Sequence, residues 1–505
     1  MVPVSFDHPS MKNAPLIGLA VLACCSLVFF ITMIVLTTQS TPRKQPRDLT
    51  QVPSQSDAIP GTDDEESTHV PDTKTYGAGE TFIAYVPSES GDIAVQITVP
   101  QTARYSDGAP VLVYTPVFFT SERQFESNFD AAALGMILLS PLYPGTTDKV
   151  SGVSSEGTFD YGGEQSVKAF RDVIKFAGGT LEDRDSLTIG ERVSMPVLTK
   201  NIGIFAFSHP GIMSTNVMGY YGNELPNVRY VVNRESPTVD TLYPLEIGHY
   251  DDGIANNNPA YEYSRDYSSK GIDLDYSTIA WNSETDAPYF DLNHDSRPGS
   301  GDYIFGTQTP SMFGKRYYSE ALTSALQTNG IFTVQTWPSD LATPEDTARD
   351  WPYRETINNY DAIGQLDDIH FMLIFSTKGH VLPASDVPEI HMAYDNLREN
   401  NVWTRLNPDQ SYVAALHAAT GQKFTERAAN TEPSNWSNAA AEGYELSGLA
   451  TTIMSLAGVA EMADRAHENM WSTNLSSVLT SYSTSLTAPT STKTTAPTGA
   501  NKPRR

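Results

Sequence analysis

Short apolar runs separated by helical stripes fill the middle of this chain. That alternation restricts its fold more than any other feature. Val111–Tyr114 and Met136–Leu139 are uncharged runs, too short for buried helices and suited to strands covered on both faces. Asn201–Phe207, Val228–Val232, Phe371–Phe375 and Val402–Leu406 read the same way. Between these runs, residues 164–177 place Val167, Phe170, Val173, Ile174 and Ala177 on one helical stripe, and Gly178-Gly179 stops it. Helical spacing recurs over residues 209–221, over 315–328 with a stop near Gly330, and over 386–398 behind a Ser385 cap. Strand and helix in alternation dictate a mostly parallel sheet covered by helices, an α/β fold. Ahead of it, Phe82–Val86 and Ile93–Val99 flank a Ser-Gly turn and predict an antiparallel opening pair.

Residues 241–314 break the alternation with Tyr, Asn, Asp, Gly and Ser. They read as an insertion, or cap, over the C-terminal edge of the sheet, where open α/β sheets bind ligands. The main domain is expected over residues 75–440. A helical segment follows over 441–473, and a Ser/Thr/Pro-rich tail over 474–505. Residues 38–74, rich in Gln, Ser, Thr, Pro and acids, read as a flexible linker.

Leu16–Leu36 carries no charge and at helical rise spans roughly 30 Å, a bilayer core. It is longer than the apolar region of a cleaved signal, about 7–15 residues, and bulky residues fill its second half. We therefore expect a retained transmembrane helix over residues 15–37, after a short tail of residues 1–14. Lys12 before the span and Arg43, Lys44 and Arg47 after it would by the positive-inside rule keep the body in the cytoplasm. The sequons Asn435-Trp436-Ser437 and Asn474-Leu475-Ser476, the stalk-like tail and a calcium loop described below point outward instead, and an extracellular body is the expectation. The net charge of −27 repels phosphate backbones and argues against nucleic-acid partners. The two cysteines, Cys24 and Cys25, both lie in the apolar span, so the body holds neither a disulfide nor a thiol nucleophile.

The most informative stretch is Gly203-Ile204-Phe205-Ala206-Phe207-Ser208-His209-Pro210-Gly211. It joins a buried strand to a helix. A serine there can be held in a strained backbone with its hydroxyl above the sheet, provided its neighbours are small, as Ala206 and Gly211 are. The N–H of His209, at a helix start, suits an oxyanion. The competing reading makes Ser208 only a helix cap. Here the chain resembles the α/β-hydrolase superfamily, over roughly Phe82–Tyr412. The resemblance implies that Ser208 is the nucleophile of an elbow whose usual glycines are replaced by Ala206 and Pro210.

It also implies an acid and a histidine, and here the chain departs from the pattern. In Lys378-Gly379-His380-Val381-Leu382-Pro383, Gly379 stands where many members carry the aspartate that orients the histidine. Glu235 after the strand Val228–Val232, Asp386 and Asp409 are the substitutes. No histidine directly follows the last strand, which leaves His417, with His380 as the neighbour and His209 on the helix. The oxyanion loop Thr115-Pro116-Val117-Phe118 lacks the common glycines, and the N–H of Val117 or Phe118 would serve.

Asp291-Leu292-Asn293-His294-Asp295-Ser296-Arg297-Pro298-Gly299-Ser300-Gly301-Asp302 offers oxygens from Asp291, Asn293, Asp295 and Asp302, with the carbonyl of Arg297 between them. That spacing wraps a hard cation. The stretch resembles EF-hand and dockerin-type loops, although Ser296 replaces the usual glycine, and implies a structural Ca²⁺. The bland alternative is an acidic surface turn. Two functions follow: a membrane-anchored serine hydrolase acting on an ester or amide carbonyl of a small molecule or peptide, or a surface binding protein of the same fold without that chemistry.

Overall fold

The computed structural model describes residues 71–117, 122–123, 125, 129–237, 247–251, 254–256, 275–285, 287–305, 320–330, 342–375, 388–409, 412–413, 416 and 448–471. The Leu16–Leu36 span, the 38–74 linker up to residue 70 and the 474–505 tail lie outside them. Among the described residues no helix is long and apolar enough to cross a membrane.

Eight strands form the central sheet. They are β1 (Thr81–Ser88), β2 (Gly91–Thr98), β3 (Ala109–Tyr114), β4 (Ile137–Pro141), β5 (Val197–Phe207), β6 (Val228–Arg234), β7 (His370–Ile374) and β8 (Trp403–Leu406). Their order is β1-β2-β4-β3-β5-β6-β7-β8. β1 and β2 pair antiparallel across a two-residue turn, and β2 pairs antiparallel with β4. From β4 to β8 every pairing is parallel. β4 and β7 are buried along their whole length, as expected where helices cover both faces. β5 starts four residues before the apolar run, because Val197–Lys200 pairs with the sheet at a half-exposed edge and hides as a polar stretch.

One face carries α1 (Glu164–Ala177), α2 (Pro210–Tyr221) and α3 (Pro388–Glu399). The α1 stripe of Val167, Phe170, Val173, Ile174 and Ala177 is buried there as its spacing requires. Asp160 holds the start of α1 through the N–H groups of Gln165 at 2.7 Å and Ser166 at 3.2 Å. α2 is buried over its first nine residues, on every side, because α1 and residues 357–363 pack against it as well as the sheet.

The other face is covered by α4 (Gly448–Glu468), which belongs to the same body as the sheet. At Gly458 the helix comes so near β7 that a Cβ would lie 2.7 Å from Ile374 Cδ1. Charge also fixes it. Asp464 accepts from Arg104 Nε at 2.6 Å and Nη2 at 2.7 Å, and from the hydroxyls of Tyr105 and Tyr412 at 2.8 Å each. Glu461 Oε1 lies 3.0 Å from Arg405 Nε and 2.9 Å from Arg465 Nε, and its Oε2 accepts the Asp409 N–H at 2.6 Å. All the charged side chains of these two clusters save Asp409 are nearly solvent-free. The sequence alone reads α4 as a helical segment beyond the domain, because its acids and arginines look like a solvated face.

The insertion builds its own five-stranded antiparallel sheet from Ile254–Asn256, Ile247–Asp251, Tyr303–Phe305, Ala287–Phe290 and Ile279–Asn282, in that order. Ile279, Phe290 and Phe305 pack with Leu322 and Leu326 of the helix Glu320–Thr328 and with Met392 of α3. These strands of 3 to 5 residues, rich in Tyr, Asn and Asp, carry no readable alternation.

Candidate active site

The C-terminal ends of β5, β6 and β7 lie level, since Phe207 pairs with Arg234 and Arg234 with Ile374. Ser208 follows β5 directly, with φ 63, a left-handed conformation that costs a side-chain-bearing residue energy. Its N–H donates to the Arg234 carbonyl at 2.8 Å, and its own carbonyl accepts from Gly211 at 2.9 Å. The chain thus leaves the sheet, bends at one residue and enters α2, with Pro210 at the first helical turn. Ala206 is fully buried. Gly211 is obligatory, since a Cβ there would lie 2.1 Å from Ser236 Cβ. Asn233 braces the bend from β6, accepting from Ser214 Oγ at 2.6 Å and donating to Thr215 Oγ1 at 3.0 Å.

His209 occupies the position before α2, in helical backbone, and its carbonyl accepts from Ile212. Val117 lies three residues beyond the end of β3 and is 38% exposed. Its neighbour Thr115 is tied to β5 through its N–H and the Phe205 carbonyl at 2.8 Å. Glu235 is buried at the end of β6, with φ 45 and its N–H on the Ile374 carbonyl at 2.7 Å. It therefore sits on the same sheet edge as Ser208, one strand away. Asp386, Gly379, His380, His417 and Phe118 lie outside the described residues. Asp409, the remaining acid candidate, is drawn to Glu461 and Arg405 under α4.

Sequence reasoning missed Arg234. It is 91% buried, since 9% of its surface is exposed, and its guanidinium lies 4.1 Å from the centre of the Phe207 ring. Burial pushes its pKa down to about 10, while Glu235, with Oε2 3.9 Å from Nη2, pulls the other way. Among the described residues its Nε has no hydrogen-bond partner. Thr115 Oγ1, just past β3, and Asn407 Nδ2, just past β8, are likewise buried without partners among the described residues. These three groups lie at or just past the C-terminal ends of their strands. Asn407 also bonds across to β7, accepting the Phe375 N–H at 2.9 Å. The sequence signal for Arg234 was a charged residue closing a strand with the apolar centre Tyr230-Val231-Val232.

The loop over residues 291–302 joins two neighbouring strands of the insertion sheet. Carboxylate oxygens of Asp291, Asp295 and Asp302 lie within 4.8 Å of one another. Asn293 Oδ1 accepts the Asp295 N–H at 2.9 Å, and Asp295 Oδ1 the Arg297 N–H at 2.8 Å. Ser296, at the position where such loops carry glycine, adopts the left-handed φ of 61 that glycine would supply. Burial, with Asp291 and Asp295 alongside, raises the pKa of Asp302 against two backbone N–H bonds that lower it. Oxygen donors crowded this way suit a hard cation.

Neither a protein-family model nor a curated protein matches the chain. Solved structures similar to it include a putative dipeptidyl aminopeptidase IV from Bacteroides ovatus, at 12% identity and a TM-score of 0.32, over 65% of this chain and 31% of that one. A thermostable esterase from Pseudomonas putida matches at 9% identity and 0.31, over 65% and 72%. The acylaminoacyl peptidase of Pyrococcus horikoshii matches at 9% and 0.31, over 65% and 36%. The match thus spans about a third of the length of both peptidases. At such scores and identities the likeness identifies neither family nor activity.

Proposed function

We propose that this chain is a serine hydrolase of the α/β-hydrolase fold, cleaving an ester or amide carbonyl of a small molecule or peptide with Ser208. The observation that carries the reading is a serine in left-handed backbone at the single bend between a central parallel strand and a helix. Strain of this kind is maintained where the hydroxyl must stand clear of the sheet.

In this reading Ser208 Oγ attacks the carbonyl carbon while its proton passes to the imidazole of His417. Glu235 orients that imidazole, with Asp386 as the other candidate. The N–H groups of His209 and Val117 receive the oxyanion. The leaving alcohol or amine takes the proton from the imidazole, and water then releases the acyl group from Ser208 by the same steps. The chain is anchored by Leu16–Leu36 with its body outside the cytoplasm. A calcium ion held by Asp291, Asn293, Asp295, Asp302 and the Arg297 carbonyl staples the insertion.

The full chain in detergent should hydrolyse 4-nitrophenyl butyrate, and Ser208→Ala should reduce kcat by at least about a hundredfold. Equal rates for the two proteins would defeat the reading. The second reading, a binding protein without this chemistry, is favoured by Gly379 in the acid's usual place. It predicts no turnover by either protein.

A further inference from the structure

We infer that Arg234 is the specificity residue of this site, and that the substrate carries a carboxylate beside the carbonyl to be cleaved. The inference rests on Ser208 as the nucleophile. Arg234 is the cross-strand partner of Phe207, so its backbone is bonded to the very residue that bears the attacking hydroxyl. Its side chain lies on the Phe207 ring, on the sheet face that α4 covers lower down.

A guanidinium removed from water is costly unless it is fully paired. Arg104 and Arg192 meet that condition. Arg104 is gripped bidentately by Asp464, and Arg192 bonds to Asp183 and Asp185. Arg234 differs. Among the described residues its nearest carboxylate is Glu235 at 3.9 Å, beyond hydrogen-bond range, and its Nε is buried without a partner. Arg229 and Arg405 also bury an unpaired nitrogen, but each has a carboxylate oxygen close by, at 2.6 and 3.0 Å, as Arg465 has at 2.9 Å. Packing on Phe207 compensates it in part. A fold that holds a cation this way at the edge where Ser208 stands has a receptor for an anion. The planar fork of five donors fits a carboxylate.

The alternative role is structural, with Arg234 serving only to keep Glu235 charged. The two roles separate in substrate preference. The test compares mono(4-nitrophenyl) succinate, with an anionic acyl part, and neutral 4-nitrophenyl butyrate, on the full-length wild type and Arg234→Met. The wild type should prefer the succinate in kcat/KM by about tenfold or more. Arg234→Met should erase that preference, chiefly through KM for the succinate. Free succinate should also inhibit butyrate hydrolysis by the wild type competitively, a readout that needs no variant. No preference in the wild type, or a loss shared equally by both esters, would overturn the inference.

Should neither ester turn over, the nucleophile reading fails on its own. The anion site is then judged by calorimetry with monomethyl succinate against dimethyl succinate. Binding of the monoanion alone, lost in Arg234→Met, upholds it. Equal or absent binding refutes it.

Discussion

Asp464→Leu should destabilise the protein more than any other single change to α4. The carboxylate, with none of its surface exposed, holds four hydrogen bonds, two from Arg104 and one each from Tyr105 and Tyr412. Burial alone would lower the pKa of Arg104, and the charge of Asp464 more than reverses this. Removing that charge leaves a guanidinium only 2% exposed with no counter-ion, which costs about 3–5 kcal/mol. Each abandoned tyrosine hydroxyl adds roughly 1 kcal/mol, less than additively. The total of about 4–6 kcal/mol is a large share of a domain's whole stability. Urea unfolding followed by near-ultraviolet circular dichroism measures it through the midpoint. Arg104→Met combined with Asp464→Leu should lose less than Asp464→Leu alone, because an apolar pair is tolerated where a lone charge is not. A single-variant loss below about 1 kcal/mol, or a double variant equal to the sum of the singles, would mean that Asp464 is not what compensates the buried Arg104.

His370 stacks on Trp471 at 3.4 Å, and burial lowers its pKa from 6.5 to about 4. The unfolded chain therefore binds a proton that the folded one excludes, so stability falls as pH drops from about 6.5 to 4, by about 3 kcal/mol. His370→Gln, which keeps a donor for the Arg229 carbonyl, should lose less over that window in urea titrations. An unchanged pH slope would contradict it. Tyr230 is wholly buried and its hydroxyl has no partner among the described residues, so Tyr230→Phe should leave the melting temperature unchanged or raise it by a few degrees. A clear fall would mean that the hydroxyl is satisfied. Chelation should lower the melting temperature of wild type but not of Asp291→Ala combined with Asp295→Ala, and the absence of any shift in the wild type would remove calcium from the account.

The sheet was legible in sequence because its inner strands are apolar on both faces, so Val111–Tyr114 and Phe371–Phe375 stand out without any periodicity. Ser208 was legible because strand, serine and helix follow one another without a spacer. The insertion sheet was not legible: strands as short as Tyr303–Phe305 draw their definition from neighbours distant in sequence. Neither was α4. Asp464, Glu461 and Arg465 look solvated until Arg104 and Arg405, far apart along the chain, arrive to pair with them. Arg234 escaped for the opposite reason, since the lack of a partner is visible only in three dimensions.

Covalent labelling decides whether Ser208 is the nucleophile. The full chain treated with a fluorophosphonate and mapped by peptide mass spectrometry should carry one adduct, on Ser208, in step with loss of ester hydrolysis. Hydrolysis that survives complete labelling, or an adduct on another serine that accounts for the lost activity, would contradict it.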